Sequence, residues 1–206
     1  IGIKAGIGGG VKAAEDNGFR VDNSVLTAYL GNETFVTIPG DVKAIGENAF
    51  KGNATLKSVE IPSNVETIGF NAFKNCTALT KVSIPDSVTK VGPGAFEGCT
   101  SLYDVEIGRN VRSWGSGVFA DCTSLIAVAL PIGLTRTNYK MFYNCNIVRA
   151  NSDYEIKIPN SMVNTKSMFE NSNINHTAKV NLLTNTNCYA MYRNCNNLKR
   201  IHMNYI

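Results

Sequence analysis

Apolar residues return along this chain on a beat of 23 positions, marked by Phe50, Phe73, Phe96, Phe119 and Phe142. The stretch from Leu56 to Cys76 shows what one beat contains. Val59 and Ile61 alternate with Ser58 and Glu60, the period of two that turns one side of a short strand inward and the other to water. Pro62 has no N–H to give and ends that pairing. Val65 and Ile68 point inward from a second short extended segment, and Gly69 turns the chain. Residues 71–76 have room for about one helical turn, enough to carry Phe73 into the core. Each unit thus predicts a strand, a second extended edge and a short helical piece.

A fixed period of this length marks a solenoid, in which each coil covers the apolar face of its neighbour. The template is strict. Ile-Pro recurs at 38–39, 61–62 and 84–85, relaxing to Ile107-Gly108 and Leu130-Pro131. A cysteine follows the phenylalanine by three residues at Cys76, Cys99, Cys122 and Cys145, and a leucine by six at Leu56, Leu79, Leu102 and Leu125. One continuous array over residues 21–206 is expected, β-rich and right-handed, in about seven coils. Residues 1–20 are glycine-rich and read as a linker or the tail of an upstream region. Their glycines make no phosphate loop, since no lysine followed by Ser or Thr closes the pattern. Residues 21–38 are expected to form a capping hairpin, with strands at 23–26 and 35–38 turned by Gly31-Asn32, because an open first coil would expose unpaired backbone. Regular repeats run from 39 to 148. Residues 149–206 are degenerate: Phe142 to Phe169 spans 27 residues, so four are inserted, and methionines replace alanine before Phe169 and Tyr192.

The form Leu-x-x-Val-x-Ile-Pro-x-x-Val-x-x-Ile-Gly-x-x-Ala-Phe-x-x-Cys resembles the BspA-type leucine-rich repeat of bacterial surface proteins, most closely from Val36 to about Cys145. The final Met168-Phe169 and Met191-Tyr192 coils resemble the methionine-phenylalanine variants found in related bacterial, mycoplasma and phage-encoded repeat proteins. The resemblance implies a leucine-rich-repeat solenoid and non-catalytic binding or adhesion at a cell surface or in secreted form. The partner it implies is a protein or glycan on a host or bacterial surface. A structural spacer or display arm, including a phage particle component, is the alternative.

Composition fits a globular chain, with 44% hydrophobic and 17% charged residues. No run of about 18 apolar residues offers a membrane span. The chain begins at Ile1 without methionine, so removal of a leader or upstream region is expected. It stops at Ile206 just after a strand-like stretch with no polar cap, so continuation of the chain, or self-association at the last coil, is expected. Charge is uneven. Residues 1–131 carry 11 Lys+Arg against 13 Asp+Glu, a balance of −2, and residues 132–206 carry 9 against 3, a balance of +6. The basic residues of that second part are spaced through the coils, which reads as a solvated surface and not a specific nucleic-acid site. Asparagine rises to 16 of the last 75 residues, in keeping with turns and stacked amide ladders.

Catalytic chemistry finds no foothold. His176 and His202 are the only histidines, no Gly-x-Ser-x-Gly elbow surrounds a serine, and no Cys-x-x-Cys pair suggests zinc. No catalytic residue, metal or cofactor is expected. The repeated cysteines read as buried free thiols, while Cys188, standing in the slot of Gly69, Gly92 and Gly115, is a candidate partner for Cys195. Four Asn-x-Ser/Thr sequons occur, at Asn32, Asn53, Asn75 and Asn175. More informative are the outward positions of the first strand, which vary from coil to coil: Lys57, Ser58 and Glu60, then Thr80, Lys81 and Ser83, then Tyr103, Asp104 and Glu106, then Ile126, Ala127 and Ala129. Solenoids bind partners along such stripes. Lys57, Glu60, Lys81, Ser83, Tyr103, Asp104 and Glu106 are therefore the candidate partner-binding residues.

Overall fold

A computed structural model of the protein describes residues 17–128, 130, 138–146, 166–174, 177–182, 189–197 and 200–205. The chain enters through β1 (Phe19–Asp22) and β2 (Val25–Tyr29), which pair antiparallel. Asn23 and Ser24 turn between them with φ of 48° and 61°, the geometry of a tight hairpin. The hairpin therefore forms one element earlier than the pattern suggested. Val25 and its neighbours pair backward to β1, and β3 (Phe35–Thr37) instead founds a second sheet. Tyr29 packs on Phe50 with ring centroids 5.2 Å apart, and Phe19 packs on Tyr29 at 4.8 Å, so the hairpin closes the first end of the core.

Coiling follows, with two strands per turn: β3 and β4 (Ala44–Ile45), β5 (Ser58–Glu60) and β6 (Thr67–Ile68), β7 (Lys81–Ile84) and β8 (Lys90–Val91), β9 (Asp104–Ile107) and β10 (Ser113–Trp114). β11 (Ala127–Val128) begins a fifth. Among the described residues four turns thus carry strands on both faces, fewer than the coils counted from the repeat, though the core rings continue beyond them. Odd-numbered strands from β3 to β11 make one parallel sheet, and β2 with the even-numbered strands to β10 makes the other. Register is one repeat throughout: Val36 sits beside Val59, Val82 beside Val105, and Ile45 beside Ile68 beside Val91. β12 (Thr177–Leu182) and β13 (Arg200–Tyr205) form a further parallel pair.

The stretch expected to be a helical turn is a run of tight turns, and no helix occurs among the described residues. Asn71 and Asn75 stand at φ of 52° and 59°, a left-handed conformation that asparagine tolerates. From Asn71 through Phe73 to Asn75, every second N–H donates to the next coil. Phe50 N–H donates to Ala72 O, Phe73 N–H to Ala95 O, Phe96 N–H to Val118 O and Phe119 N–H to Met141 O, each at 2.7–2.9 Å. A third ladder of backbone hydrogen bonds therefore joins the coils along this turn face. Inside it, the rings from Phe50 through Phe73, Phe96, Phe119, Phe142 and Phe169 to Tyr192 stack within 10° of parallel, at centroid spacings of 4.7–5.6 Å. Trp114 replaces the aliphatic residue of its slot and is core, packed 6.0 Å from Phe119.

Candidate functional site

Parallel pairing at one-repeat register stacks like positions into rows. On the sheet founded by β3, one outward row runs Phe35, Ser58, Lys81, Asp104, and the next runs Thr37, Glu60, Ser83, Glu106. Between them Val36, Val59, Val82 and Val105 point inward and are buried. The outward rows enclose a shallow groove of about 420 Å³, lined by Phe35, Ser58, Glu60, Lys81, Ser83, Asp104 and Glu106 over a floor that includes Val59 and Val82, with Pro85 at one side.

Of the seven candidate residues, five line this groove. Lys57 does not: it is exposed ahead of β5, and its backbone joins neighbouring coils through Thr34 O and Thr80 N–H. Tyr103 stands on the rim, 40% exposed, with Lys81 Nζ 5.6 Å from its ring centroid. Lys81 Nζ also meets Asp104 Oδ2 at 2.9 Å, and that hydrogen bond, with the nearby acidic charge, holds the ammonium pKa above its ordinary value. The pair is half-exposed, so its worth lies in orienting Lys81 and not in stability. Thr37 Oγ1 donates to Glu60 Oε2 at 3.0 Å. With Glu60, Asp104 and Glu106 against Lys81 alone, the groove carries an excess of negative charge. Phe35, 58% exposed at the edge strand, was missed from the sequence. Its ring belongs to the entry segment, and only the pairing of β3 with β5 brings it beside Ser58. Ala129 lies outside the described residues.

The repeated cysteines occupy the opposite kind of environment. Cys76, Cys99, Cys122 and Cys145 are buried free thiols. Each Sγ donates to the carbonyl of the phenylalanine in the preceding coil: Cys76 to Phe50, Cys99 to Phe73, Cys122 to Phe96 and Cys145 to Phe119, at 3.0–3.2 Å. Cys195 does the same to Phe169 at 2.9 Å. Burial pushes the Cys76 thiol up to about 12 and Cys195 up to about 11, and raises the others as well. Protonated thiols of this kind are poor nucleophiles. The proposed partner of Cys195, Cys188, lies outside the described residues.

No curated protein matches this chain. Among solved structures it is similar to the leucine-rich repeat protein TpLRR of T. pallidum, at 24% identity and a TM-score of 0.72, over 94% of this chain and 83% of that one. A leucine-rich repeat protein from Bacteroides ovatus matches at 22% identity and a TM-score of 0.48, over 96% of this chain and 70% of the other. The pneumococcal vaccine antigen PcpA matches at 18% and 0.48, over 82% of this chain and 50% of that one. The likeness to TpLRR carries the fold: a leucine-rich-repeat solenoid. The repeat of the BspA type leucine rich repeat region matches residues 28–149 in 6 copies, more than half of the chain. The protein belongs to the BspA type leucine rich repeat family.

Proposed function

We propose that this chain is a non-catalytic binding module of a bacterial cell-surface or secreted protein, engaging its partner along the strand-face groove. The observation that carries the reading is the groove itself. Its lining side chains differ from coil to coil, while the backbone beneath them is a rigid parallel sheet of constant register. Preordered backbone lowers the entropic cost of binding, so even a shallow surface can recognise a partner. The excess of carboxylates favours a partner that offers cationic or hydrogen-bond-donor groups, and Phe35 and Tyr103 supply apolar anchors at either side. The family's association with bacterial surface proteins supports a location at the cell surface or outside the cell.

The test is an array of host-matrix proteins and glycans, probed with the purified chain and with a Tyr103→Ala/Asp104→Ala/Glu106→Ala variant. A retained partner whose binding falls at least about tenfold in the variant supports the strand face. Binding unchanged by the variant would move the site elsewhere. An array without any bound partner would favour the spacer reading.

A further inference from the structure

The strand-face groove is not uniform along its length. Phe35 closes it at the edge strand with its ring exposed, and the buried Val59 and Val82 floor it between the outward Ser58 and Ser83. Lys81 Nζ and Asp104 Oδ2 satisfy each other at 2.9 Å. Glu60 and Glu106 are different. Both are exposed, and among the described residues neither has a cation within salt-bridge distance. Glu60 accepts a hydrogen bond from Thr37 Oγ1 alone. The two stand in one outward row, two coils apart, with Ser83 between them. At a coil spacing of about 4.8 Å the two positions lie about 10 Å apart.

That spacing selects the shape of a ligand. A peptide in the polyproline II conformation rises about 3.1 Å per residue with three residues per turn, so positions i and i+3 share a face about 9 Å apart. Same-face side chains of a β-strand recur at about 7 and 14 Å and match the row less well. The carboxylates select the charge, since Lys or Arg at i and i+3 meets both of them. Phe35 lies one coil before Glu60, in the neighbouring row, and covers an apolar side chain that precedes the first cation. Ser58 and Ser83 offer hydroxyls to the peptide backbone, which in this conformation has no internal hydrogen bonds.

Other occupants fit less well. Nucleic acids and acidic glycans are repelled by the uncompensated carboxylates, and a neutral glycan leaves both of them unpaired. We propose that the groove binds an extended basic segment of a partner protein, laid along the solenoid axis in the polyproline II conformation. Its recognition pattern is an apolar residue followed by Lys or Arg at i and i+3. This rests on the strand-face reading above and names the chemistry of the partner. The sheet is rigid and the peptide is stiff, so little entropy is lost when they dock.

The experiment is fluorescence anisotropy of a labelled peptide, Ala-Leu-Arg-Pro-Pro-Arg-Pro, titrated with the purified chain. Comparison peptides carry glutamine or glutamate in place of both arginines, or the two arginines side by side. The variants are Glu60→Gln/Glu106→Gln in the groove and Glu47→Gln/Glu66→Gln, which removes the same charge outside it. All four positions are exposed and glutamine keeps the side-chain shape, so the fold is not asked to change. Expected is binding of the arginine peptide, weakened by salt and reduced about tenfold or more by Glu60→Gln/Glu106→Gln. Glu47→Gln/Glu66→Gln should change it less than about twofold, and every comparison peptide should bind more weakly. No binding by the parent, equal losses in the two variants, or equal affinity for the side-by-side arginines would each overturn the proposal. A partner on the array that Tyr103→Ala/Asp104→Ala/Glu106→Ala loses, with the arginine peptide unbound, leaves the strand-face reading standing and overturns this one. An array partner indifferent to that variant strikes the strand-face reading itself.

Discussion

In successive coils, Cys76, Cys99, Cys122 and Cys145 reach back to the carbonyl of the phenylalanine one coil earlier. Where the slot recurs at 172 it holds serine, and Ser172 Oγ donates to Phe142 O in the same way. The slot thus asks for a small side chain that carries a donor. Cys99→Ser is expected to cost about 1 kcal/mol or less, and Cys99→Ala about 1–2 kcal/mol, because alanine leaves the carbonyl one donor short. Chemical denaturation of both variants checks the order; serine costing more than alanine would mean the slot is purely apolar. Titration follows from the same burial. Below pH about 8 the thiols are mostly protonated in both folded and unfolded chains. As pH rises from there towards the raised folded value, only the unfolded chain ionises, so stability falls. Cys76, moved from 9.0 to about 12, makes the window wide. A Cys76→Ser variant should show a shallower loss of thermal midpoint between pH 9 and 11 than the parent.

Each coil is an element whose thickness is set where backbones touch. A Cβ built on Gly92 would lie 2.7 Å from Gly69 C and 2.7 Å from Phe70 N, both backbone atoms that cannot swing aside. Gly69 meets Gly46 in the same manner. Gly92→Ala is therefore expected to destabilise by about 2–3 kcal/mol, while Gly40→Ala, with nothing within 4 Å, should stay within about 0.5 kcal/mol of the parent. Equal effects in urea unfolding would refute this account of the glycine row. The strands and this glycine were legible because period two and a chain-turning residue have local causes. The turn face was not. Residues 71–76 have the length of a helical turn, yet neighbouring coils offer acceptors every second residue, so tight turns with Asn71 and Asn75 left-handed win and join coil to coil. Nor does a sequence period reveal that β2 pairs backward to β1, since the Asn23-Ser24 turn signal is short and the competing Gly31-Asn32 turn looks equally good.

Over the whole molecule, one constant backbone carries a strand face whose side chains vary from coil to coil. The strand face was readable in outline, because period two tells which of residues 57–60 and their repeats point outward. Phe35 was hidden by its place in the entry segment, and Lys57, which precedes the strand proper, lies outside the groove lining. The basic residues of the second half were read as dispersed charge, and among the described residues Lys140, Lys166 and Arg193 come against Tyr139, Tyr143 and Tyr189 where the turns stack. Stability should behave as a sum of neighbouring coils, so surface variants on one face should leave the other intact. The most direct measurement is the matrix and glycan array run with two proteins side by side: the parent and Tyr103→Ala/Asp104→Ala/Glu106→Ala. The account predicts a partner that the parent binds and that the strand-face variant binds at least about tenfold more weakly. A partner bound equally by both, or no partner for the parent, would contradict it.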